Sequence, residues 1–101
     1  MRITPVQVEA ILAATQDLAG EGASVRLFGS RTNDQLRGGD IDLLIDCAQP
    51  VARPVWLAAL LTARLQRVLG ERRVDVLLMA PGMADEPVHR EARADGIVLR
   101  A

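Results

Sequence analysis

Lysine is missing from this chain: all twelve basic residues among its 101 are arginine. A GC-rich coding sequence explains that usage better than selection of arginine for phosphate binding. Cys47 is the single cysteine, which excludes an internal disulfide and a cysteine-based zinc cage. Aromatic residues number two, Phe28 and Trp56, so the core has to be built from Val, Ile, Leu and Ala. Long apolar runs are also wanting. The longest uncharged stretch worth testing as a membrane span, Pro54 to Ala63, is half of the roughly 20 residues a spanning helix needs. The opening Met-Arg-Ile-Thr-Pro carries no apolar segment of the secretory kind. A soluble, cytoplasmic protein that does not touch a membrane is the expectation.

What is present fits one domain spanning residues 1–101. Half the residues are apolar and a quarter charged, with a mean hydropathy of +0.15, which excludes a disordered polyelectrolyte. A net charge of −1 argues against direct nucleic-acid binding.

Thr4-Pro5-Val6-Gln7 reads as a helix start, with Thr as N-cap, Pro at the first helical position and Gln completing a capping box. Val8, Ile11, Leu12, Thr15 and Leu18 share one helical face, and Gly20 ends it. Ser24 to Phe28 is a short strand, and the polar segment Arg31 to Gly39 a loop. Asp40 to Asp46 alternates, with Ile41, Leu43 and Ile45 on one side and Asp40, Asp42 and Leu44 on the other. Pro54 to Leu69 forms a second helix with Leu57, Leu61, Leu65 and Val68 as its stripe, stopped by Gly70. Arg73 to Met79 is another alternating strand, Asp85 to Asp95 a mostly polar helix ended by Gly96, and Ile97 to Arg100 a last strand. The order α-β-β-α-β-α-β predicts an α+β fold: a small mixed sheet with helices on one face.

On this pattern Asp40 and Asp42 project from one side of a strand, and Asp75 alternates with Val74 and Val76 on another. If those valines pack with Ile41, Leu43 and Ile45, three carboxylates share the open face. Three adjacent anions repel and raise one another's pKa. No arginine is conspicuously placed beside them in the sequence, so compensation points to hard divalent cations, which prefer oxygen ligands. Two such ions close together serve in-line displacement at phosphorus. Gly29 and Ser30, directly after the first strand, supply backbone N–H groups and a hydroxyl for phosphate oxygens. Arg31, which adjoins Ser30, and Arg37 stand in the same segment, either as phosphate contacts or as plain surface charges.

Phe28-Gly29-Ser30 followed by Asp40-Ile41-Asp42-Leu43 resembles the signature of the DNA polymerase β-like nucleotidyltransferase superfamily in its minimal form. Asp75 fits the place of the third acid, and Arg90 to Leu99 resembles the helix-Gly-strand close of minimal members. The resemblance implies a nucleotidyltransferase fold. It implies that Asp40, Asp42 and Asp75 hold two Mg²⁺ ions and are catalytic, and that Gly29 and Ser30 bind the β- and γ-phosphates of ATP. It further implies transfer of AMP to an acceptor hydroxyl, with Asp75 helping to activate it and pyrophosphate released. Many minimal members are antitoxins encoded beside a HEPN-type toxin, and some adenylylate a Tyr on that toxin, which would make the chain part of a hetero-oligomer. Two other readings stand beside this one: a non-catalytic module neutralising its partner by occlusion, and the catalytic subunit of a two-part enzyme acting on a small molecule. The chain's size leaves no extra domain to present the acceptor, so the acceptor is expected on a second polypeptide.

Three further residues carry bland expectations. His89 reads as a surface residue of the polar helix, Cys47 as a small buried filler, and Trp56 as packing rather than an exposed interface anchor.

Overall fold

A computed structural model describes residues 3–28, 41–70 and 73–100. Helix α1 (Pro5–Ala19) begins with the expected capping box. Thr4 Oγ1 accepts the Gln7 N–H at 3.1 Å, and the Thr4 N–H donates to Gln7 Oε1 at 2.9 Å. Two donors that helix geometry leaves unpaired are thereby satisfied, a contribution of about 1 kcal/mol. The helix stops at Gly20, whose φ of +92° is costly for any residue with a Cβ. Ile11, Ala14 and Thr15 are buried, and the Thr15 hydroxyl donates back to the Ile11 carbonyl at 2.8 Å rather than standing unpaired in the core.

Strands β1 (Ser24–Phe28) and β2 (Ile41–Asp46) pair antiparallel. Helix α2 (Pro54–Leu69) then carries the chain back so that β3 (Val74–Met79) lies parallel to β2. Helix α3 (Pro87–Asp95) returns it to β4 (Ile97–Val98), antiparallel to β1. The sheet order is β3-β2-β1-β4, the mixed sheet that the pattern predicts. β4 is shorter than expected, although the Leu99 N–H still reaches the Val25 carbonyl at 2.9 Å.

Period-two alternation assigns the two sheet faces. Val25, Ile41, Leu43, Ile45, Val74 and Leu78 join Ile11 and Ala14 of α1 and Leu61, Leu65 and Leu69 of α2 in one core cluster. Fully burying a side chain of that size contributes roughly 1.5–3 kcal/mol. The last buried position of the α2 stripe is Leu69, not Val68, which is exposed. Cys47 is buried in the same cluster, as expected of a small filler.

Stacking on one face describes α1 and α2. Helix α3 lies across the opposite face, where it packs on β1 and β2. Arg93 Nε stands 3.6 Å from Asp46 Oδ2, and Asp46 alternates away from the core residue Ile45. Leu44, on this second face, is fully buried yet stands outside the main cluster, as does Ala92 of α3. Arg93 also donates to Asp85 Oδ1 at 3.1 Å, and that hydrogen bond, with the charges of Asp85 and Asp46, pushes its guanidinium pKa up. Gly96 follows α3 at φ −79°, so its role is not a left-handed turn. A Cβ there would run into the Ala92 carbonyl oxygen of the helix itself and meet Arg26 Cβ of β1 at 3.0 Å, so glycine allows both the tight end of α3 and its close approach to the sheet. Among the described residues no helix is long and apolar enough to cross a membrane.

Candidate active site

Helix α3 covers only part of the second sheet face. The covered end carries Arg26, Leu44 and Asp46; at the other end three register partners form a row across β1, β2 and β3. Phe28 pairs with Asp42, and Asp42 pairs with Asp75. Neighbouring strands lie about 4.8 Å apart, and register partners on one face project the same way. Asp42 and Asp75 therefore stand side by side, the first half-buried between its neighbours and the second exposed. Ile41 and Val74, their chain neighbours, point into the core and lock this orientation, since a one-residue slip of either strand would bury the acids.

Like charges directly opposite each other in a sheet destabilise it by roughly 0.2–1 kcal/mol. A compensating charge stands beside Asp75. Arg73 Nε stands 3.8 Å from Asp75 Oδ1, with both side chains largely exposed. This corrects the expectation that no arginine stands beside the acids, and the missed signal is the spacing of two residues that places Arg73 and Asp75 on one side of a strand. An exposed pair this long is worth less than about 1 kcal/mol, so it offsets part of the repulsion at most.

Gly29, Ser30, Arg31, Arg37 and Asp40 lie outside the described residues, and their proposed contacts lie there with them. Among the described residues no group of three or more metal-ligating side chains gathers in one place. The pair Asp42–Asp75 is nonetheless a suitable donor set for a hard divalent cation: two adjacent carboxylates in register on neighbouring strands, one half-buried and one exposed. Mg²⁺ commonly takes only one or two protein carboxylates and fills its remaining positions with substrate phosphate and water.

His89 departs from its expected surface position. It is 5% exposed, and both ring nitrogens are engaged. The Glu86 N–H donates to Nδ1 at 3.2 Å, and Nε2 stands 3.1 Å from the Leu78 carbonyl oxygen. A backbone N–H can only donate and a carbonyl can only accept, so Nδ1 is the acceptor and Nε2 carries the proton. The imidazole fastens the start of α3 to β3 and is not part of the acid row. Position three of a helix after Glu86 is a capping position, and that spacing was the available signal. Trp56 also departs from expectation: it is 55% exposed, with the Arg53 guanidinium 5.4 Å from its ring centroid. A surface groove of about 370 Å³ between the starts of α2 and α3, lined by Pro54, Ala58, Leu77, Met83 and His89 among others, includes neither Asp42 nor Asp75.

A mixed sheet with a carboxylate pair in register on its half-covered face is an arrangement able to hold a divalent cation. The nucleotidyltransferase domain model matches residues 8–95, and the chain belongs to that family. In three dimensions the chain is similar to one in the crystal structure of the toxin–antitoxin MntA–HepT, with a TM-score of 0.66 and 18% sequence identity. That likeness, a likeness of fold, covers 97% of this chain and 73% of the other. No curated protein matches the sequence significantly.

Proposed function

We propose that this chain is a Mg²⁺-dependent nucleotidyltransferase that moves AMP from ATP to a tyrosyl hydroxyl of a HEPN-type toxin, as the cytoplasmic antitoxin of a toxin–antitoxin pair. The observation that carries the reading is the register of Asp42 with Asp75 on the open sheet face. Family membership supports the reaction class, and the likeness to a chain of MntA–HepT supports the kind of partner.

Asp42 and Asp75, joined by Asp40, hold the cations in this reading. When bound, two Mg²⁺ ions supply charge neutralisation to the triphosphate and to the attacking oxygen. Gly29 and Ser30 bind the β- and γ-phosphates through backbone N–H groups and the Ser hydroxyl, and Arg31 adds charge beside them. The acceptor oxygen bonds to the α-phosphorus as the bond from that phosphorus to the bridging oxygen breaks, and pyrophosphate leaves. Asp75, the more exposed acid, helps to withdraw the hydroxyl proton in this reading, which its access to solvent supports.

The test incubates the purified chain with the HEPN-type protein, Mg²⁺ and ATP labelled at either the α- or the γ-phosphate. Label from the α position is expected on the partner and label from the γ position is not. Asp42→Asn and Asp75→Asn should each abolish it. Undiminished neutralisation by both variants, with no label transferred by the parent protein, would mean that the partner is silenced by occlusion.

A further inference from the structure

Helix α2 carries apolar side chains on its outer side as well as on its inner one. Its inner stripe of Leu61, Leu65 and Leu69 is buried. Its outer side is not polar in exchange: Trp56, Ala59, Leu60 and Ala63 are exposed there, followed by Arg67. At 100° per residue positions 56, 59, 60, 63 and 67 fall within about 100° of arc and run about 16 Å along the axis. Trp56 is 55% exposed and Val55 beside it 85%. The two alanines leave a shallow saddle between the indole and the end of the stripe.

Charge decides what fits this face. From Arg53 to Gly70 there are three arginines and no acidic residue. Arg64 is engaged with Asp17 of α1 at 2.7 Å, and Arg53 lies over the Trp56 ring, so Arg53 and Arg67 edge the apolar stripe with positive charge. A second copy of this chain is a poor occupant. Two-fold pairing of α2 with α2 brings Arg67 against Arg67 or against Arg53, with no carboxylate on either helix. We propose that the outer face of α2 is the docking site for an amphipathic helix of a different protein, one whose apolar stripe is bordered by Asp or Glu. Trp56, with Arg53 against it, is the anchor, a residue pair of the kind that dominates binding energy at interfaces. Because α2 packs on the core side of the sheet and Asp42 and Asp75 project from the other, this occupant leaves the carboxylates uncovered. The proposal does not depend on nucleotidyl transfer.

The probe is a fluorescein-labelled 18-residue model helix with a Leu/Ala stripe flanked by Glu, compared with the same peptide carrying Lys at the flanking positions. Anisotropy at low salt should show the Glu peptide binding at least tenfold more tightly than the Lys peptide. Unlabelled Glu peptide should shift the emission of Trp56, the chain's one tryptophan, to the blue. Ala63→Glu, an exposed change checked for folding by circular dichroism, should weaken the Glu peptide at least tenfold, and Arg67→Glu should narrow or invert the preference. Equal binding of the two peptides, binding of neither, or indifference to Ala63→Glu overturns the proposal. So does a dimer in sedimentation equilibrium that Ala63→Glu dissociates, which would make a second copy the occupant.

Discussion

Asp42 and Asp75 occupy facing positions in the parallel β2–β3 ladder, and Arg73 Nε stands 3.8 Å from Asp75 Oδ1. Like charges in register are a cost to the sheet, and a bound cation would relieve it. Replacing Asp75 with Asn removes one of two neighbouring charges and a long, exposed ion pair, so the stability change should stay within about 0.5 kcal/mol. Labelling of the acceptor should nevertheless fall at least a hundredfold. Added Mg²⁺ should raise the melting temperature of the parent protein, by mass action on the folded state, and raise that of Asp75→Asn less. A variant that loses several kcal/mol in urea would instead mark Asp75 as structural.

Much of this layout was legible because strands alternate. Ile41, Leu43 and Ile45 could face the core only if Asp42 faced away, and the same holds for Val74 and Val76 about Asp75. The helix limits were legible too, from Thr4 and Gln7 at one end of α1 and Gly20 at the other. What sequence pattern did not disclose is which polar residue another element would cover. His89 looks like a surface residue on a helix with so many charges, and it is buried because α3 crosses the second sheet face. Trp56 is the reverse case: the sole indole looks like core material, yet the leucine stripe turns it outward. Val68 and Leu69 exchange roles for a similar reason, since the last turn of a helix can rotate either neighbour inward without altering the apolar count.

The tautomer of His89 makes a second prediction. Its two hydrogen bonds join the N-terminus of α3 to the Leu78 carbonyl. Met79 and Arg73 direct their carbonyls to β2, so alternation turns the carbonyl of Leu78 toward the outer edge of the sheet. His89→Ala leaves that carbonyl and the Glu86 N–H without the ring and should cost about 2–3 kcal/mol in urea unfolding. Amide exchange should quicken at the start of α3 more than in α1.

Gly96 predicts a purely steric effect. Its φ suits any residue, so Gly96→Ala would be harmless if conformational freedom were the point. The added methyl has no room, however, with a backbone oxygen and the Arg26 side chain already within contact distance. The expected loss is about 1–3 kcal/mol, from displacement of α3 relative to β1. Gly20→Ala supplies the contrast: open space surrounds it, and its cost of about 1 kcal/mol comes from φ alone.

Cys47 gives the pH dependence. Burial, and secondarily the charge of Asp46, pushes its thiol pKa above the ordinary 9.0. The unfolded chain therefore loses this proton at lower pH than the folded one. Where the folded state holds more protons than the unfolded state, stability falls as pH rises. The thiol's contribution is thus complete below about pH 8 and declines above pH 9 toward the raised folded pKa. Urea titrations from pH 8 to 10.5 should show this alkaline loss in the parent protein and a shallower one in Cys47→Ala, whose lower baseline reflects the small cavity left behind. Thiol reagents supply an independent check: at pH 8 the native protein should react at least tenfold more slowly than the protein in denaturant, because the reactive thiolate is both scarce and covered. Equal pH slopes for the two proteins would show that other groups govern the alkaline limb.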